Sequence, residues 1–101
     1  MKKIVIFGST GSIGSSLLKI IKDDKKNFKI ELLTANKNYK KLIKQVKFFN
    51  VKNIILTDHN SFLIATKLLK KTKVKVFNDF VSLNKIFNKN KKIDYAMCAI
   101  S

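Results

Sequence analysis

Three glycines at positions 8, 11 and 14 punctuate the stretch GSTGSIG. The stretch follows a short apolar run, Ile4, Val5, Ile6 and Phe7, which reads as a strand buried on both faces of a parallel sheet. It precedes Ile13, Leu17, Ile20 and Ile21, whose spacing predicts a helix through Lys22. Between a strand and a helix each glycine has a use. Gly8 lets the chain leave the strand in a tight turn, Gly11 lets backbone approach a pyrophosphate, and Gly14 lets the helix pack closely on the sheet. Free N–H groups at the helix start, together with the helix dipole, favour a bound anion. The spacing is G-x-x-G-x-x-G in place of the commoner G-x-G-x-x-G, so placement carries much of the case for dinucleotide binding. A glycine-rich turn with no ligand is the alternative.

The end of the second strand discriminates between dinucleotides, because an acid about 20 residues beyond the glycines would bind the ribose 2′-hydroxyl of NAD. Here that stretch is Leu33, Thr34, Ala35, Asn36, Lys37 and Asn38, with no acid among them. Lys37 can neutralise a 2′-phosphate, and Thr34, Asn36 and Asn38 offer hydrogen bonds and turn conformations. NADP(H) is favoured over NAD(H), with a solvated lysine as the plain alternative for Lys37. His59, the single histidine, stands beside Asp58 at the carboxyl end of a third apolar run. With no nucleophile or further metal ligand nearby, Asp58 reads as a helix cap and His59 as exposed. Asp23, Asp24 and Asp94 read as surface or turn residues, and no spacing suggests a metal site. Cys98 is the only cysteine, which excludes an internal disulfide, and its apolar neighbours predict a buried thiol in a reducing compartment.

The elements that must position these residues repeat in order. An apolar run over residues 28–33 leads to Tyr39, Leu42, Ile43, Val46 and Phe49 at helical spacing. Ile54, Ile55 and Leu56 then give a strand, and Phe62, Ala65 and Leu69 a helix. Val74, Val76 and Phe77 give a fourth strand. Asn78 or Asp79 would cap a helix carrying Phe80, Leu83 and Phe87, and a fifth strand spans residues 93–100. Five strands alternating with four helices predict an α/β fold: a Rossmann-like, mostly parallel sheet with right-handed crossovers and helices on both faces. The lysine and asparagine run at residues 88–92 reads as a solvated connection within one domain.

Composition sets the bounds. The chain has 101 residues, 46% of them hydrophobic, which fits one small globular domain. The net charge of +16 comes from 22 lysines against six acids, with no arginine. A basic chain can neutralise nucleic-acid phosphates, but arginine, which reads bases and phosphates bidentately, is missing. A drift toward lysine and asparagine on solvated faces is the preferred reading, and no nucleic-acid partner is expected. The eight phenylalanines fall mostly at core positions. No apolar run approaches the roughly 20 residues of a membrane span, and the first strand begins too early to leave room for a leader peptide, so a cytoplasmic protein is expected.

The quoted stretches together resemble one family. GSTGSIG at residues 8–14, followed by a helix containing Ser15, Ser16, Leu17 and Leu18, is similar to the opening of 1-deoxy-D-xylulose 5-phosphate reductoisomerases. LTANKNYKKLIKQVKFFNVKNIILTD at residues 33–58 and DYAMCAIS at residues 94–101 resemble that family's second motif and fifth strand. The resemblance implies NADPH as cofactor, with Thr10, Gly11, Ser12 and Ile13 at its pyrophosphate and nicotinamide side. Asn36, Lys37 and Asn38 would hold the adenosine ribose and 2′-phosphate, and Ala99 and Ile100 would lie alongside the cofactor. Asn36 stands where the family usually has glycine, a mild change if positive φ is needed. The activity implied is isomerisation and NADPH-dependent reduction of a phosphorylated ketose, with Mg²⁺ or Mn²⁺, by a protein that is usually a homodimer. Metal ligands and substrate-phosphate residues would lie outside this chain, so residues 1–101 are expected to be a truncated NADPH-binding domain, inactive and weakly stable alone. A free-standing NADP(H)-binding module and an inactive gene fragment are the rival readings.

Overall fold

The computed structural model describes residues 1–83, 87 and 93–100. Five strands, β1 (Lys2–Phe7), β2 (Phe28–Ala35), β3 (Asn53–Leu56), β4 (Lys75–Phe77) and β5 (Tyr95–Cys98), form one parallel sheet in the order β4-β3-β2-β1-β5. Three helices alternate with them: α1 (Ser12–Lys22), α2 (Tyr39–Phe49) and α3 (His59–Leu68). The Rossmann-like reading holds, and the strand cores fall where the apolar runs place them.

The order decides the layering. From β1 to β4 the chain steps outward in one direction, so right-handed crossovers put all three helices on the same face of the sheet. Leu18 and Ile21 of α1, Leu42, Ile43 and Val46 of α2 and Ala65 of α3 accordingly share one core with Ile4, Ile6, Leu33, Ile54 and Leu56. To reach β5, beside β1, the chain must cross back beneath the other face. There Val5, Leu32 and Ile55 meet Phe7, Phe77, Leu83, Phe87 and Ile93. A 3₁₀ turn at Phe80–Ser82 and a hydrogen bond from the Phe87 N–H to the Leu83 carbonyl (2.9 Å) mark that crossing. The rest of the fourth predicted helix, at residues 84–86, and the run at residues 88–92 lie outside the described residues.

Local chemistry sets the boundaries. Asn38 caps α2 by accepting from the Lys41 N–H (3.2 Å). At the other end Asn50 takes a left-handed conformation (φ 55, ψ 47), and the N–H groups of Asn50 and Val51 both reach the Val46 carbonyl. This closes the helix as a glycine would, with Val51 fully buried behind it. In β2 the pairing with β1 shifts by one residue after Ile4↔Ile30, leaving Glu31 as a bulge. The shift lets Ile30 and Leu33, three residues apart, both face the helices. The buried Glu31 carboxylate has Lys29 Nζ at 3.6 Å.

Two expectations are corrected. The apolar stripe of α1 is not Ile13, Leu17, Ile20 and Ile21: Gly14, Leu18 and Ile21 are buried, while Ile13 and Ile20 are exposed. The sheet is met by the face that carries Gly14, with Leu18 and Ile21 four and seven positions on, because there the backbone comes closest. Cys98 is exposed, not buried. Its apolar neighbours identify a strand, but β5 is an edge strand, and most of its residues are open to solvent.

Gly14 makes the approach of α1 possible. A Cβ there would lie 2.6 Å from Ser9 Cα, and nearer still to the Gly8 carbonyl oxygen, both of them backbone atoms that cannot swing aside. Gly14→Ala is therefore expected to destabilise the chain by about 3 kcal/mol despite alanine's better helix propensity. Urea denaturation checks this; a stabilised variant would contradict the packing described.

Candidate functional site

The chain order reverses beside β1, since β2 lies on one side of it and β5 on the other. Crevices form at the carboxyl ends of strands at such a switch point, and here a cleft of about 320 Å³ opens there. Gly8, Thr10 and Gly11 line one end. Thr34, Ala35, Asn36 and Thr57 line the other, with Phe80, Ala99 and Ile100 at the side.

The turn out of β1 is built by buried polar groups. Gly8 has φ +78, and a Cβ on it would sit 2.8 Å from Ile100 Cγ1 and 3.1 Å from the Ala99 carbonyl carbon. Glycine is thus demanded both by conformation and by the segment after β5, which the Ala99 N–H ties to the Phe7 carbonyl (2.7 Å). Thr34, buried in β2, takes both N–H groups of the departing chain: Gly8 N–H donates to Thr34 Oγ1 and Ser9 N–H to the Thr34 carbonyl, each at 2.9 Å. Beyond them the backbone turns to the cleft. A Cβ on Gly11 would find nothing nearer than the Gly8 carbonyl oxygen at 3.9 Å, so the space over that residue is open to a ligand. Gly11 is also the residue before α1, and no side chain caps the helix. The helical ladder begins with Ser15 N–H to the Gly11 carbonyl (2.9 Å), so the N–H groups of Ser12, Ile13 and Gly14 precede it without helical acceptors. No acid lies in the first turn. An uncapped positive helix end over an open glycine fits a phosphate group.

The second half of the site is held by the β3–α3 connection. Asn36 accepts at its side chain from Thr57 Oγ1 (2.9 Å) and at its carbonyl from the Asp58 N–H (3.1 Å). The Lys37 carbonyl accepts from Ser61 Oγ (3.0 Å). Lys37 itself is exposed, with its carbonyl held by Ser61. Asp58 caps α3 through the Ser61 N–H (3.0 Å), and His59 is exposed, as expected. The Asp58 carboxyl is held below the ordinary carboxylate range, first by the Ser61 hydroxyl and then by the Ser61 N–H, with Lys37 and His59 adding attraction.

Of the predicted residues, Gly8, Thr10, Gly11, Asn36, Ala99 and Ile100 line the cleft together. Ser12 and Ile13 stand exposed at the helix start, Gly14 is packed beneath the turn, and Lys37 and Asn38 extend past the cleft's far end. Thr57 and Phe80 line the cleft as well, outside the predicted set. The position of Thr57, directly after the third apolar run, could have flagged it. Nothing local marks Phe80, which arrives from the crossing beneath the sheet. Asn36 does not draw on asparagine's tolerance of positive φ, since among the described non-glycine residues only Asn50 has one. Ser101 lies outside the described residues.

The family model described as 1-deoxy-D-xylulose 5-phosphate reductoisomerase matches residues 4–101. The chain belongs to that family. A reductoisomerase of Pelagibacter ubique (strain HTCC1062) is 85% identical over the whole of this chain, which spans 26% of that relative's length. Another, from Buchnera aphidicola subsp. Schizaphis graminum, is 43% identical over 74% of the chain, covering 19% of its own length. Among solved structures, the reductoisomerase from Zymomonas mobilis in complex with NADPH superposes with a TM-score of 0.84 at 27% identity, covering 98% of this chain and 26% of that one. This chain thus spans between about a fifth and a quarter of the length of these reductoisomerases. Among the described residues no three His, Cys, Asp or Glu side chains gather, so these residues do not fit the divalent metal that the family implies. No metal-dependent step is assigned to this chain.

The Asp58 cap gives the far end of the reductoisomerase cleft a pH dependence of defined sign. A carboxyl whose folded-state pKa is depressed contributes stability above its unfolded value, near pH 4, and that contribution is lost as pH falls through the lower folded value. Thermal melts between pH 2 and 7, about the span of the carboxylate titration, should show Asp58→Ala with a shallower acid decline than the parent. An unchanged decline would remove Asp58 from this role.

Proposed function

We propose that this chain is the NADPH-binding part of an enzyme that isomerises and reduces 1-deoxy-D-xylulose 5-phosphate to 2-C-methyl-D-erythritol 4-phosphate, on the non-mevalonate route to isoprenoids. The observation that carries the reading is one continuous cleft. It runs from the open glycine turn and uncapped start of α1 to an acid-free strand end beside Lys37. The likeness to a reductoisomerase solved with NADPH supports the choice of ligand. When bound, NADPH supplies the hydride for the reduction.

The residues of this chain bind and orient. N–H groups at Ser12 and Ile13, with Thr10 and Gly11, receive the pyrophosphate, where the helix dipole favours negative charge. Asn36 and Asn38 hold the adenosine ribose, and Lys37 pairs with the 2′-phosphate as a mobile point charge. Gly8 keeps Ala99 and Ile100 close, so that these apolar residues flank the cofactor and limit water on that side. Residues 1–101 are read as belonging to one cofactor domain. We place the enzyme in the cytoplasm, in keeping with an exposed lone thiol at Cys98.

Calorimetric titration with NADPH and NADH at two salt concentrations tests the reading, because attraction to the 22 lysines alone would fade with salt for both ligands. NADPH binding that survives salt and exceeds NADH binding is expected. Lys37→Glu should cost NADPH about tenfold or more in affinity, and NADH much less. Equal losses would remove Lys37 from the 2′-phosphate site.

A further inference from the structure

Ser9 is fully buried in the middle of the glycine turn, and none of its polar groups points to the cleft. Its N–H goes to Thr34. Its other two groups go to one side chain on α2. The Ser9 hydroxyl donates to Gln45 Oε1 at 2.8 Å, and Gln45 Nε2 donates to the Ser9 carbonyl at 3.0 Å. A carbonyl oxygen can only accept, so the amide orientation is dictated, with nitrogen toward the carbonyl and oxygen toward the hydroxyl. The Ser9 hydroxyl has a second acceptor, the Thr34 carbonyl, only at 3.4 Å.

Gln45 sits 36 residues from Ser9 in sequence, on α2. With Leu18 and Phe48 it lines the groove between α1 and α2, and it does not line the cleft. Any influence it has on a ligand must pass through Ser9. The residue before Ser9 is pinned by Thr34, and the residues after it, Thr10 and Gly11, line the cleft. Releasing the Ser9 carbonyl therefore loosens the half of the turn that presents N–H groups to an anion, while leaving the Asn36–Lys37 end fastened by Thr57, Asp58 and Ser61.

We propose that Gln45 is a positioning residue for the pyrophosphate-binding turn, acting by a reciprocal pair of hydrogen bonds to Ser9. This rests on the cofactor reading above. A preorganised set of donors binds an anion more tightly than one that must be ordered on binding, and a buried carbonyl left without its partner favours other turn conformations.

The test compares two ligands on the same chain: NADPH, which spans both ends of the cleft, and adenosine 2′-phosphate, which has no pyrophosphate. Gln45→Leu is expected to weaken NADPH about tenfold and adenosine 2′-phosphate less than about twofold. Ser9→Ala, which keeps the bond from Nε2 to the carbonyl, should weaken NADPH about threefold with the same selectivity. Circular dichroism melts confirm that the variants fold; if Gln45→Leu does not, Ser9→Ala decides alone. Equal losses for the two ligands, or unchanged NADPH affinity, would overturn the positioning role. If the parent chain binds neither ligand, the cofactor reading itself falls, and the role of Gln45 with it.

Discussion

Two backbone N–H groups leave the sheet at the end of β1, and one residue of the next strand receives both. A chain that turns out of a buried strand exposes donors that water cannot reach, and each would cost more than a kilocalorie if left unpaired. Thr34 answers with its hydroxyl to Gly8 and its carbonyl to Ser9. Thr34 can do so because β2 runs on through it to Ala35, which is still part of the apolar core. Because Gly8 is thereby drawn toward β2, its left-handed conformation leaves room for Ala99 and Ile100 on the other side. The helix start, the close approach of α1 over Gly14 and the opening of the cleft all follow from where that turn is held.

The same turn explains the division of labour among neighbouring polar residues. Ser9 is consumed by the scaffold, whereas Thr10, Gly11 and Ser12 remain at the surface of the cleft or the helix end. Further along, the β3–α3 connection does for the Asn36–Lys37 segment what Thr34 and Gln45 do for the glycine turn. The two segments at the ends of the cleft are thus fastened by separate sets of hydrogen bonds, one from β2 and α2 and one from the β3–α3 connection and the start of α3. Apart from Lys37, the described lysines are spread over helices, strands and connections, and their side chains enter neither set.

Legibility in the sequence followed the locality of the signal. The β1 run and the glycines are contiguous and carry their own meaning, so strand, turn and helix could be placed together. The acid-free end of β2 could be read by counting from the glycines. Helix phase was harder: the apolar arc of α1 is broad, running from Ile20 and Ile13 round to Leu18, and the packing of Gly14 against Ser9 decides that its Leu18 and Ile21 edge points inward. The bulge at Glu31 breaks the two-residue period that strand reading relies on. Phe80 and the Ser9–Gln45 pair depend on elements far apart in sequence, and the exposure of Cys98 is hidden because an apolar run does not say whether anything covers it.

The position of β5 also has a temporal side. β1 is an inner strand only because Tyr95–Cys98 pair with it, and those residues come about ninety positions after Ile4. At a ribosomal pace of roughly 5–20 residues per second, about 5–20 s pass in which the first strand made has one bare edge. Apolar Ile4, Val5 and Ile6 on such an edge are an invitation to pair with another nascent chain. The two lysines at its start, Lys2 and Lys3, are the charges that make this pairing unfavourable. That pairing is also the longest loop closure in the sheet, so of the strand pairings it is the one with the greatest closure entropy to overcome.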